Sequence, residues 1–284
     1  MSTGPFFDAH NHFQDAWLEP HQEDLLRELP VMGLAGAVVN GSCVEDWPSV
    51  SKLCLRAPWL HASYGLHPWD CGNRPIHWFE VLEARLLAEP QAFVGEMGLD
   101  RWILDRAAPD DPRLAGLRRA PLEEQTEVCR LQLALAARLG RPASVHCLDA
   151  FGPLLELLQH SPRPSQGFLL HAYSGPPEMV PAFAELGAYF SFNGAFLEPR
   201  KKRVRAAFMA VPLERLLVET DAPAMQPPGD RIEFTLPHTA QGDAINHPGN
   251  IRVAYAGLSE LRALDLGELC AQCRINFERL FVTQ

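Results

Sequence analysis

The chain has no apolar run near the roughly 20 residues that a membrane-spanning helix needs. Its first residues lack a basic region followed by an apolar stretch, so no secretory signal is expected. No GxxxxGK[ST] motif occurs, and no glycine-rich loop follows the first apolar run, which argues against a phosphate-cradling nucleotide fold. Positive charge is short: 25 Lys and Arg stand against 35 Asp and Glu, a net charge of −10. These numbers argue against a long nucleic acid gripped by surface charge alone, because phosphate neutralisation needs a basic surface. A few nucleotides entering a site whose metal ions supply the positive charge remain compatible with it. Cysteine is scattered and odd in number, with seven residues, which fits reduced thiols in the cytoplasm rather than a disulfide framework. The lone CxxC of Cys270 and Cys273 has no second pair and reads as part of a helix. There are no internal repeats, heptads or low-complexity tracts.

What is present is a chain of 284 residues, 47% hydrophobic and 21% charged, enough for one large core. A single domain over 1–284 is the expectation. Short apolar, β-rich runs recur at 6–12, 36–41, 60–67, 92–100, 143–149, 167–175, 188–194 and 216–223. Amphipathic stretches fall between them, such as HQEDLLRELPVM, IHWFEVLEARLLAE, PLEEQTEVCRLQLALAARLG, AFGPLLELLQH and PPEMVPAFAELG. Eight strands alternating with helices predict an α/β fold, a (β/α)8 TIM barrel, with a doubly wound open sheet as the alternative. Two segments break the rhythm. Residues 104–120 read as a surface excursion, and residues 224–250 as a long loop forming a lid or substrate wall.

Polar residues gather at the C-terminal ends of these strands: His10 and His12, His67, Glu96, His146, His171 and Asp221. In a barrel those ends share one face. His10 and His12 are two apart, so on a strand both point to one side and can converge on one cation, with Asn11 facing away. A carboxylate such as Asp221 or Glu96 would complete a set suited to Zn²⁺ or Mn²⁺. His146 and His171 with a bridging Glu96 would form a second set, and two such ions suit phosphoester hydrolysis. A lone histidine at a strand end is usually structural, but these residues end different strands and belong together. His67 reads as a substrate contact or a packed histidine, and Glu219 as a buried polar neighbour of the site. His238 and His247 in the long loop read as solvated, and the run RKKRVR at 200–205 as a solvated helical face. His21, His61, His77 and His160 fall away from the proposed site.

The segments DAHNH, GLHPW, VGEMGLD, QLALAARLGRPASVHC, LLHAYSG, YFSFNG, VPLERLLVETDAP and NFERLF, in that order, resemble the TatD family of metal-dependent hydrolases, within the amidohydrolase-like barrels. The resemblance implies a metal site at the mouth of a (β/α)8 barrel and two divalent ions, Zn²⁺, Mn²⁺ or Mg²⁺. By motif, His10, His12, Glu96 and Asp221 would hold one ion, and Glu96, His146 and His171 the other. Asp221 would also be the catalytic base that orients or deprotonates the attacking water. The family implies a phosphodiesterase of the deoxyribonuclease type, acting on short or single-stranded DNA ends or small phosphodiesters, without a membrane or an obligate protein partner. Two departures stand out: Leu148 where the family often has an arginine, and INHPGNI at 245–251 where it usually carries an RNEP-like element. They leave hydrolysis of a carboxyl ester, lactone or amide as the alternative. A non-catalytic metal-binding protein is the third reading, and the complete ligand set and candidate base speak against it.

Overall fold

The computed structural model describes residues 4–282. Eight strands follow one another in chain order round one sheet: β1 (Phe6–Asn11), β2 (Leu34–Gly41), β3 (Leu60–Tyr64), β4 (Phe93–Asp100), β5 (Ala143–Leu148), β6 (Phe168–Leu170), β7 (Ala188–Asn193) and β8 (Leu216–Glu219). Every adjacent pair in that order is parallel. The seam between β8 and β1 is tied just beyond the strand ends. The Asp221 N–H donates to His10 O at 3.0 Å, and the His12 N–H to Ala222 O at 2.8 Å. Below them the fully buried Asp8 carboxyl accepts from the Thr220 N–H at 3.0 Å and from Thr220 Oγ1 at 2.5 Å.

The helices are α1 (Gln22–Val31), α2 (Trp47–Arg56), α3 (Trp78–Ala88), α4 (Trp102–Asp105), α5 (Leu122–Leu139), α6 (Phe151–His160), α7 (Val180–Glu185), α8 (Lys202–Ala210), α9 (Ile251–Arg262) and α10 (Leu266–Phe281). Their boundaries follow local chemistry. The longest, α5, opens after Pro121 with Glu123 and Glu124 in its first turn and stops at Gly140, whose φ of 62° suits a residue without Cβ. The α10 helix is capped by Asp265, whose carboxylate accepts from the Gly267 and Glu268 N–H groups. Phe277, Leu280 and Phe281 of this helix pack against Phe7, Ala9, Val38, Phe93, Leu169, Tyr189 and Leu217. They plug the end of the barrel opposite the mouth, so the functional groups occupy only the C-terminal ends of the strands.

Two irregularities aim the site. Phe7 and Ala9 belong to the inner cluster, so strict alternation would send His10 outward and Asn11 inward. Instead β1 carries an extra residue between Asp8 and Asn11 relative to β2, and His10 and His12 turn inward. Asn11 faces away, bonding the Asp8 carboxyl and the Phe13 N–H. In β4, Phe93 is inner and Val94 outer, and the same kind of extra residue lies between Val94 and Met97. That shift brings Glu96 into the barrel. Gly95 and Gly98 make it possible: their φ angles are 146° and 149°, and a Cβ would stand 2.5 Å from Ser144 O and 1.9 Å from His146 O respectively.

The barrel expectation holds and all eight strands are present, with differences at their ends. His12, His67, His171 and Asp221 lie one to three residues beyond their strands. Helices α2 and α9 were not among the amphipathic stretches singled out, and the stretch 176–187 divides into a short turn at 177–179 and α7. His247 is buried rather than solvated. Its Nδ1 accepts the Gly249 N–H at 2.8 Å and its ring packs on Phe234, while His238 is exposed. Residues 245–250 are buried throughout, and Asn246 donates to Thr220 O, so this end of the long loop is fastened to the seam.

Thr220→Val removes the hydroxyl donor from the buried Asp8 carboxyl and is expected to cost about 1–3 kcal/mol. Urea unfolding measures it, and an unchanged midpoint would contradict the role given to the seam.

Candidate metal centre

Within the barrel mouth imidazole nitrogens and carboxylate oxygens converge. The His12 Nδ1–H donates to Asn40 O at 2.8 Å, and because a carbonyl can only accept, the Nε2 lone pair of His12 points inward. His10 Nδ1 lies 2.8 Å from Ser144 Oγ, which likewise leaves its Nε2 facing the site. The two Nε2 atoms are 3.3 Å apart. Glu96 Oε2 stands 3.4 Å from that of His10 and 3.2 Å from that of His12, and Asp221 Oδ1 stands 3.7 Å from that of His10 and 3.4 Å from that of His12. Each of the two imidazole nitrogens therefore faces both carboxylates. Ligand atoms about 2.0–2.1 Å from a tetrahedral zinc lie about 3.3–3.4 Å from one another, so the spacing suits a small divalent cation.

The second Glu96 oxygen serves another group. Oε1 lies 2.8 Å from His171 Nε2, 3.1 Å from His146 Nδ1 and 3.4 Å from His67 Nε2. His146 Nε2 faces Asp100 Oδ2 at 3.2 Å, and the Trp69 indole N–H donates to the same oxygen at 2.7 Å. Asp100 thus orients His146 in the way a carboxylate behind a ligating histidine does. His171 Nδ1 is buried without a hydrogen-bond partner, 3.7 Å from Glu219 Oε1. Its ring stacks on His10 with centroids 3.8 Å apart. His67 differs from the others. Its Nδ1 accepts the Trp69 N–H at 3.2 Å, so in the neutral ring the proton sits on Nε2 and points into the site. In that form His67 presents a hydrogen-bond donor rather than a lone pair to the site.

All seven residues singled out from the sequence meet here. His10, His12 and Glu96, then His10, His171 and Asp221, then His67, Glu96 and His146 form groups that can hold a metal ion. Sequence reasoning missed Asp100 and Trp69. The signal was available, since Asp100 ends a wholly buried strand and Trp69 follows His67 by two residues. Glu219 is the buried neighbour it was expected to be, bonded to Ser191 Oγ at 2.5 Å and to Asn193.

Charge in this cluster is held by compensation. Burial pushes the Glu96 carboxyl up, but the surrounding imidazoles of His67, His171 and His10 hold it well below the usual range. Burial pulls His12 and His171 down, yet adjacent carboxylates hold both well above an ordinary imidazole. His146 is raised to about 9 against burial by Asp100 and Glu96. Protons thus occupy the places that a cation can take.

Parallel strands closed into a barrel, with a buried histidine and carboxylate cluster at the mouth, define a metal-dependent hydrolase. The chain belongs to the TatD related DNase family, whose model matches residues 7–282. It is 25% identical to the metal-dependent hydrolase YabD of Bacillus subtilis over 97% of this chain and 98% of the relative. It is also 25% identical to the 3′-5′ ssDNA/RNA exonuclease TatD of Escherichia fergusonii, over 97% and 98% of the two chains. The crystal structure of YJJV, a TatD homolog from Escherichia coli, superposes with a TM-score of 0.83 at 26% identity, covering 98% of each chain.

Because a cation must displace these protons, Mn²⁺ titrated into the metal-free protein at pH 7 is expected to release them. The folded His146 titrates near 9 and the free imidazole near 6.5. Its proton therefore stabilises the metal-free protein fully below about pH 6.5, and that contribution fades as pH rises through 9. Apparent metal affinity should climb over the same interval. Calorimetry in buffers of different ionisation enthalpy measures this, and a heat independent of buffer would contradict it.

Proposed function

We propose that the chain, acting as one domain over 1–284, is a divalent-metal-dependent phosphodiesterase of the deoxyribonuclease type. Its substrates are short or single-stranded DNA ends or small phosphodiesters. The observation that carries this reading is the division of the Glu96 carboxylate between two clusters, Oε2 toward His10 and His12, Oε1 toward His146 and His171. The name of the Escherichia fergusonii relative supports the choice of nucleic acid. Seven free thiols, five of them buried, fit a reducing cytoplasm. None of the described helices is long and apolar enough to cross a membrane.

His10, His12, Glu96 and Asp221 would hold one ion, and Glu96, His146 and His171 the other, with Zn²⁺, Mn²⁺ or Mg²⁺ each admissible to such donors. Bound ions would supply Lewis acidity and lower the pKa of a water at the site. Asp221 is the base. Burial raises its carboxyl, but His12, His171 and His10 hold it below the ordinary range, so it is ionised at neutral pH and able to take a proton. The backbone bond from Asp221 N–H to His10 O fixes where that proton is accepted. Water oxygen adds to phosphorus as its proton passes to the Asp221 carboxylate, and the P–O bond to the leaving sugar breaks, its oxygen taking a proton from solvent. The His67 Nε2–H is placed to hold a phosphoryl oxygen. Leu148 removes an arginine from the end of β5, but Arg106 reaches Asp149 there at 3.2 Å and is two-thirds exposed, so a guanidinium still stands at this edge.

Single-stranded DNA and bis(p-nitrophenyl) phosphate should be cleaved when Mg²⁺, Mn²⁺ or Zn²⁺ is present, and Asp221→Asn should lower kcat by about 10²–10⁴-fold. Hydrolysis of carboxyl esters or lactones with phosphodiesters left intact would overturn the reading.

A further inference from the structure

Two of the six tryptophans of the chain stand at one edge of the mouth, and they are not core residues. Trp47 and Trp78 are buried, whereas Trp69 and Trp102 each keep part of their surface in solvent. Trp69 follows β3 and Trp102 opens α4 beyond β4, so both stand on the loop side of strands that carry site residues. Their rings stack at an interplanar angle of 23° with centroids 6.3 Å apart. Above Trp102 lies the Arg113 guanidinium, 4.7 Å from the ring centroid. The stack joins the site through two residues: Asp100 Oδ2 accepts from the Trp69 indole and faces His146, and the Trp69 N–H donates to His67 Nδ1.

Packing alone does not account for Arg113. Its side chain is 58% exposed, yet it is held rigidly by a forked pair of bonds to Asp111, 3.0 Å from Nε to Oδ1 and 2.6 Å from Nη2 to Oδ2. Asp111 cancels its charge, so Arg113 offers a flat, oriented surface rather than a free cation for phosphate. A ladder of planar groups, fixed and partly exposed, beside a site that takes a phosphodiester is a surface for aromatic rings. Stacking also suits an acidic chain, because it draws affinity from base faces rather than from neutralised phosphates.

We infer that Trp69, Trp102 and Arg113 form a stacking subsite for the nucleobase next to the scissile phosphate, making the enzyme selective for ends that carry a base. This rests on the phosphodiesterase reading and assigns its substrate contact. The excursion at 104–120 then has a task, which is to carry Arg113 back over Trp102.

The test compares single-stranded oligonucleotides whose terminal residues are intact or abasic. Wild-type protein should show a kcat/KM about tenfold or more higher for the intact end, within the range of base–aromatic stacking. Trp102→Ala should bring that ratio close to one, and Trp102→Phe, which restores a ring, should recover most of it. A ratio unchanged in Trp102→Ala, or absent in the wild type, overturns the subsite. If neither oligonucleotide is cleaved, the phosphodiesterase reading itself falls. Indole fluorescence then decides the subsite alone: quenching by the intact but not the abasic oligonucleotide, lost in Trp102→Ala, supports it, and equal quenching by both overturns it.

Discussion

Glu96 is buried at the centre of the mouth, and each of its two oxygens faces its own set of imidazoles. A carboxylate removed from water is costly unless positive charge stands beside it. Here the neighbouring histidines present lone pairs, because their other nitrogens are engaged by Asn40, Ser144 and Asp100. Either protons or metal ions must fill the space between. A proton satisfies one pair of acceptors, whereas a divalent cation satisfies a ring of them. The arrangement is therefore poised for cations, and the rest of the mouth is built to keep it so.

That constraint explains features of the backbone that a regular barrel would not need. The extra residue in β1 aims His10 and His12 inward, and the extra residue in β4 does the same for Glu96. Gly95 and Gly98 permit the second by letting β4 pass close to β5. The seam contributes the remaining carboxylate: Asp221 sits beyond β8 in a left-handed conformation with φ of 53°, tied to His10 O. Such a conformation costs of the order of 1 kcal/mol or more in a residue with a Cβ. Asp8, Thr220 and the buried stretch 245–250 hold it there.

Much of this was legible in the chain. Strands buried on both faces write continuous apolar runs, and polar residues interrupting such runs are conspicuous, which is why Glu96, His146 and His171 stood out. The barrel order then brought them to one face. What escaped detection depended on contacts between distant segments. Asp100 became part of the site only because His146 and Trp69 reach it. His247 looked solvated because its loop is polar, yet Phe234 and the Gly249 N–H enclose it. Alternation correctly paired His10 with His12 against Asn11, but it could not show that an extra residue was needed to turn that pair inward. Helix α2 was passed over although Trp47, Val50 and Leu53 of WPSVSKLCLR fall at helical spacing and are buried on one face.

The most direct test of the account is anomalous diffraction from crystals grown with Mn²⁺ or Zn²⁺. Two peaks are expected, one beside each oxygen of the Glu96 carboxylate, the first among His10, His12 and Asp221 and the second between His146 and His171. A single peak, or peaks away from Glu96, would contradict the claim that this carboxylate is shared between two ions.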